Sequence, residues 1–140
     1  MMLFWKTKKP REPPVEKQWK IKRRCLHLIL ESSKASYPNE FAGFLRVDRV
    51  EKDTIKEIVL LPGTVSGDAH AIFQLHMLPI DYNIVGTVHS HPSNVPLPSG
   101  ADLQLFEKYG RIHIIAAMPF TENSWKAYTY KGDGISITIV

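Results

Sequence analysis

Hydrophobic and polar positions along the chain change period several times, and the changes mark the elements. Residues 22–36 repeat as an amphipathic helix: Cys25, Leu28, Ile29 and Ser32 fall on one face with Leu26 and Leu30 beside it, while Arg23, Glu31 and Lys34 take the outer side. Pro38 ends that helix. Residues 40–48 and 55–61 then read as two strands joined by a charged turn, a hairpin in outline. Residues 62–69 (PGTVSGDA) read as loop, with a short strand expected near 70–75. The run 84–91 (IVGTVHSH) is rich in β-branched residues with no helical period, so a strand is expected, and Pro92 holds His91 extended. After a proline-rich loop over 92–98, Ser99 caps a helix reaching about Tyr109, with Leu103 and Phe106 inward and Gly110 as a left-handed stop. A buried strand over 111–118 and two more, near 124–130 and 135–140, complete the pattern. Mixed helices and strands with several antiparallel connections predict one three-layer α/β domain, a mixed β-sheet flanked by helices.

Composition refines this picture at the ends. At 140 residues and 44% hydrophobic, the chain suits one domain with a real core. The net charge of +4 is unevenly spread. Residues 1–24 hold nine Lys/Arg against Glu12 and Glu16, which makes that stretch +7 and the remainder −3. A basic, proline-bearing leader over 1–18 is therefore expected ahead of a domain over 19–140. Such a leader could meet a polyanion, but the acidic body has no interleaved aromatic and basic face, so nucleic acid is not the expected partner. Cys25 is the sole cysteine, which excludes an internal disulfide and fits a reducing cytoplasm. No apolar run has the length of a membrane span, and MMLFW is too short for a signal-peptide core. The expectation is a soluble, cytoplasmic protein.

Chemistry concentrates between His89 and Asp102. Histidines two apart on a strand share a face, so His89 and His91 can reach one metal ion while Ser90 faces away. Asp102, in the first turn of the next helix, is the natural third ligand, and two imidazoles with one carboxylate leave a zinc site one place open for water. Ser99-x-x-Asp102 also resembles a capping box, although such boxes usually carry Glu at the acidic position. Cys25 belongs with the core face of its helix, and His70, His76 and His113 have no partner at ligand spacing. There is no C-x-x-C, Walker loop, G-x-S-x-G or deaminase H-x-E signature.

The segment HSHPSNVPLPSGAD fits the pattern H-x-H-P followed by S-x-x-D of JAMM (MPN-plus) metalloproteases, which it resembles closely. PNEFAGFL is similar to the family's upstream glutamate segment, and PFTENSWKAYTYKGD looks like the tail of short archaeal members. The resemblance runs from about Trp19 to Val140. It implies a fold like that of cytidine deaminases, one Zn2+ per chain on His89, His91 and Asp102, Glu40 as the base that works the water, and Ser99 as an oxyanion donor. It offers two roles for Gly43: clearing the approach to Glu40, or easing a tight strand contact. It further implies hydrolysis of (iso)peptide bonds after the tail of a ubiquitin-like modifier or sulfur-carrier protein.

That chemistry is coherent in itself. Zinc brings the pKa of a water it holds to about 7, a carboxylate can pass the water's proton to the leaving amine, and one oxyanion donor contributes about 3 kcal/mol. Two other readings are weighed beside it. Metal-less MPN relatives act as scaffolds, but they lose ligand residues and this chain keeps all of them. Repair-linked proteins of the RadC type carry a similar motif, to which the basic leader would add. The sequence leaves the oligomeric state open, a dimer included.

Overall fold

The hairpin read from the sequence sits in the middle of the sheet. The computed structural model describes residues 18–61, 68–75 and 81–140, so nearly all of the expected leader, and His76, lie outside the described residues. Strand β1 (Lys20–Ile21) leads into α1 (Arg23–Ser36), then β2 (Ala42–Val47) and β3 (Thr54–Leu60) form the antiparallel hairpin. Next come α2 (Ala69–Leu75), β4 (Ile84–Ser90), α3 (Gly100–Lys108), β5 (Ile112–Ala116) and β6 (Trp125–Thr129). The short strands β7 (Gly134–Ile135) and β8 (Thr138–Ile139) close the chain.

The eight strands form one mixed sheet in the order β7-β6-β5-β4-β2-β3-β1-β8, parallel at β4/β5, β1/β3 and β1/β8. Alternation along β2 sends Leu45 and Val47 to one face and Ala42 and Phe44 to the other. Leu45 and Val47 join Leu26, Ile29, Leu30, Val88 and Ile114 in a core under α1, while Ala42 and Phe44 pack with Ile72, Phe73 and Leu105 of α2 and α3. The three-layer α/β domain is as expected. No helix among the described residues is long and apolar enough to cross a membrane.

Four local expectations are corrected. Residues 70–75 belong to a helix, α2: the Asp68 carboxylate accepts from His70 N (2.8 Å), and Ala69, Ile72 and Phe73 are buried at helical spacing. The helix α1 is turned from the expected face, burying Leu26, Leu30 and Ser33 with Cys25 and Ile29 and leaving Leu28 47% exposed. In α3 the inward pair is Leu105 and Phe106, and Leu103 points outward at 39% exposure. The single strand expected over 135–140 is two, and they pair at opposite ends of the strand order, with β6 and with β1. The last residues thereby tie together the two ends of the sheet.

Two glycines let β5 come close to β4. Gly110 follows α3 with φ +127°, the left-handed stop expected there, and Arg111 N donates to Val85 O at 2.7 Å as the chain turns into β5. Gly86 lies opposite Ile112, where a Cβ would stand 1.5 Å from the Ile112 carbonyl oxygen. Gly43 is explained by its strand contact, since a Cβ there would lie 2.9 Å from Val59 O.

Candidate metal centre

The site lies where the C-terminal end of β4 meets the start of α3. Both flanks of β4 are occupied, Ala42 of β2 opposite His89 on one side and Ile115 of β5 on the other. His89 is therefore fully buried on the face that α2 and α3 cover. The antiparallel register continues past β2: Ser90 N donates to Phe41 O at 2.9 Å, and Phe41 N donates to Ser90 Oγ at 2.8 Å. Ser90, the residue between the histidines, points away from the site as expected and binds the neighbouring strand.

Ser99 is the N-cap of α3, and its capping box is complete. Ser99 Oγ accepts from Asp102 N at 3.1 Å, and Asp102 Oδ2 accepts from Ser99 N at 2.9 Å. Capping uses a lone pair of the Ser99 hydroxyl and leaves its proton free to donate elsewhere. The same box swings the Asp102 carboxylate inward beneath the helix, where the residue is 2% exposed.

His89, His91 and Asp102 are brought together. The Nε2 atoms of the two histidines are 3.1 Å apart, and Asp102 oxygens lie 3.2 Å from His89 Nε2 and 3.1 Å from His91 Nε2. Three donors on one tetrahedral zinc, at bond lengths of about 2.0–2.1 Å, would be separated by about 3.3 Å, so these separations fit a single ion. The tautomers fit as well. The Val95 carbonyl accepts from His91 Nδ1 (2.9 Å), so neutral His91 turns an unprotonated Nε2 toward the carboxylate. Two acceptors facing each other need a cation between them, a proton on His91 Nε2 or, in its place, a metal ion. Among the described residues, these three form the group able to hold a metal ion.

The electrostatics point the same way. The hydrogen bond to Asp102 raises the His91 pKa; burial opposes it, and the Val95 carbonyl and the charges of Asp102 and Glu40 add to it. Burial alone would raise Asp102, but hydrogen bonds from His89 and His91, the charge of His89 and the Ser99 amide hold it far below the usual carboxylate range. A carboxylate kept ionised in a buried place is what a cation site requires.

Glu40 is beside the cluster, its Oε2 accepting from Ala69 N of α2 at 2.6 Å. Sequence spacing gave His70 no partner, yet its Nε2 lies 2.7 Å from Asp102 Oδ1. The signal that could have placed His70 on a helix is the Asp68 cap followed by the helical spacing of Ala69, Ile72 and Phe73; the packing of α2 on α3 then brings it to Asp102. His113 stays apart: its Nε2 bonds Gly110 O and its Nδ1 bonds Thr87. Cys25 is core, its thiol pushed up to about 12 by burial and then by the charge of Glu57.

Comparison with known proteins agrees with this arrangement. The profile of Prok-JAB, prokaryotic homologs of the JAB domain, matches residues 22–128. A protein of Haloferax volcanii described as a probable metalloprotease is 36% identical over 116 residues, covering 78% of this chain and 71% of that one. A JAB1/MPN domain protein from Archaeoglobus fulgidus superposes with a TM-score of 0.70 at 40% identity, over 86% of this chain and 98% of that chain. A structure described as JAMM, a metalloprotease-like zinc site in the proteasome and signalosome, gives 0.68 at 36% identity, over 88% and 98%. With the profile spanning every residue of the cluster, the chain belongs to the JAMM family, among its prokaryotic JAB-domain members.

Proposed function

We propose that this protein is a zinc-dependent metallopeptidase that hydrolyses the (iso)peptide bond after the C-terminal tail of a ubiquitin-like modifier or sulfur-carrier protein. The observation that carries the reading is the convergence of three buried donors, His89, His91 and Asp102, beside a carboxylate, Glu40, that is not one of them. A non-catalytic scaffold has no use for such a complete set.

When bound, the ion would polarise the scissile carbonyl and acidify a water. His89, His91 and Asp102 would hold it. Glu40 Oε2 is engaged by the Ala69 amide, which leaves Oε1 to take the water's proton and return it to the departing amine. Ser99 keeps its hydroxyl proton free for the oxyanion.

Access supports the substrate class. His89 and Asp102 are buried, and the His91 side chain is 15% exposed. On one side stands His70; on the other, the 92–98 loop is tied down by bonds to Val95 O and Pro96 O. A thin, extended tail ending in Gly-Gly suits such an approach, whereas a folded surface does not.

The test is a matched pair of conjugates of a ubiquitin-like protein on lysine, one ending in Gly-Gly and one with the penultimate glycine changed to valine. Cleavage of the first, little of the second and none of casein is expected, with Glu40→Gln retaining zinc while losing hydrolysis by orders of magnitude. Equal cleavage of both conjugates, or loss of zinc from Glu40→Gln, would overturn the reading.

A further inference from the structure

Asp102 has two oxygens, and each meets one hydrogen-bond donor of the protein besides the two histidines of the cluster. Oδ2 takes the Ser99 amide at 2.9 Å, a bond built into the cap of α3. Oδ1 takes His70 Nε2 at 2.7 Å. His70 comes from a different element, α2, and no motif of the chain pairs it with Asp102. Its contact is short, and its side chain is 27% exposed against 3% for the carboxylate it meets.

We propose that His70 is a positioning residue of the metal centre, its Nε2–H fixing the plane of the Asp102 carboxylate and thereby tightening the metal. The inference rests on the zinc reading above and adds to it a residue that the family pattern leaves unassigned. The terminal torsion of an aspartate is broad and roughly two-fold, so a carboxylate held at one oxygen can still swing about that bond. A second donor on the other oxygen removes this freedom, and each oxygen keeps a second lone pair with which it can reach an ion. Donors of this outer kind orient ligands and are worth about 10–100-fold in metal affinity.

Delivery of His70 does not depend on its own ring. The Asp68 carboxylate accepts from His70 N, and Ala69 N donates to Glu40 at the head of α2. Ile72 and Phe73 anchor α2 in the core shared with Phe44 and Leu105, the Phe44 and Phe73 rings being 5.4 Å apart. A changed side chain at position 70 therefore leaves the helix docked. Two neighbouring residues of α2 in this way reach both carboxylates of the site, Ala69 that of Glu40 and His70 that of Asp102.

The experiment uses the full chain and two variants of similar bulk, His70→Leu without a donor and His70→Gln with one, and His70→Ala should the leucine variant fail to fold. Zinc affinity is measured by competition with a chromophoric chelator, the visible spectrum is taken after loading with Co2+, and melting is followed in EDTA. We expect His70→Leu to bind zinc about 10–100-fold more weakly and to shift the cobalt bands, His70→Gln to stay within about threefold of the parent, and all to melt alike without metal. Parent affinity in the donorless variant, or a glutamine variant as weak as it, would overturn the positioning role while the zinc site stood. Failure of the parent itself to bind zinc would overturn both.

Discussion

Acid should destabilise this fold through His113, a residue that takes no part in the proposed chemistry. Its ring is fully buried between β4 and α3, stacked on Phe106 with centroids 4.4 Å apart. Nδ1 accepts from the Thr87 hydroxyl at 2.7 Å, and Nε2 donates to Gly110 O at 3.0 Å. Thr87 N also points at Nδ1, at 3.3 Å. The neutral ring is thus fully paired, and a second proton on Nδ1 would confront an N–H. Burial, opposed by the Gly110 and Phe106 carbonyls, brings the pKa down from 6.5 to about 4. The folded value lies below the unfolded one, so the unfolded chain takes up the proton first. The contribution is complete above 6.5 and is lost as pH falls toward 4. At about 1.4 kcal/mol per pKa unit, the loss totals about 3 kcal/mol. Urea unfolding of the parent and of His113→Gln, both in chelator, isolates this amount, because every other titrating group is shared. The difference in stability between the two should change by about 3 kcal/mol between about pH 7 and about pH 4, and the His113 ring should titrate near 4 by NMR. A difference that stays constant across that range, or a ring titrating near 6.5, would refute the reasoning.

Three further outcomes are expected. His89→Ala and Asp102→Ala should each lose most of about one zinc per chain; full retention, by elemental analysis, in both would dissolve the ligand set. Gly86→Ala drives a methyl group into the Ile112 carbonyl, so its free energy of unfolding in urea should fall by at least the upper end of the about 1–3 kcal/mol typical of overpacking, with zinc lost too because His89 lies on the same strand. Removal of residues 1–18 should leave melting temperature and peptidase activity nearly unchanged, and a large fall in either would show that the basic leader serves the domain.

The parts legible in the sequence were those with one dominant period. The alternation of β2 and β4 fixed which residues share a face, so His89 and His91 were placed together, with Ser90 on the far side. The parts that misled had two patterns at once. In α1, Cys25, Leu28, Ile29 and Ser32 keep helical spacing, but so do Leu26, Ile29, Leu30 and Ser33, and only packing against the sheet decides for the second. In α3 the buried stripe is Asp102, Leu105 and Phe106, and a hydrophobic reading skips a buried carboxylate. The contact of His70 with Asp102 spans 32 positions: local spacing can place His70 on a helix, but its meeting with Asp102 follows from how α2 and α3 pack. The strand order was equally hidden. Because β4 is central and both its edges are paired, an extended peptide cannot add to it as a further strand. Among the described residues, the outer side of Lys56–Leu60 in β3 has no strand partner, because β1 reaches only Thr54 and Ile55. That edge lies two strands from β4, about 10 Å away, so under the proposed function a tail would reach the donors past the strand ends rather than as an added strand.

Two of the three donors of the centre are held by side-chain bonds that owe nothing to metal, and the third by its strand, and this sets what chelation should do. His89 has a buried Nδ1 with no partner among the described residues, and its backbone is fixed by its place in β4 between β2 and β5. His91 is held through Nδ1 by Val95 O, and Asp102 by the Ser99 amide and His70. The core under α1 and the core under α2 and α3 close without any ligand atom. Structural zinc sites are the contrary case, where the ion supplies the folding energy and its removal unfolds the domain. Here EDTA should leave far-UV circular dichroism unchanged and a single cooperative melt. Added zinc should raise the midpoint only as mass action requires, about 2.7 kcal/mol at a hundredfold excess over the dissociation constant. A chain that loses its helices on chelation would show that the ion builds the site, and the assignment of an open, preformed catalytic centre would fall with it.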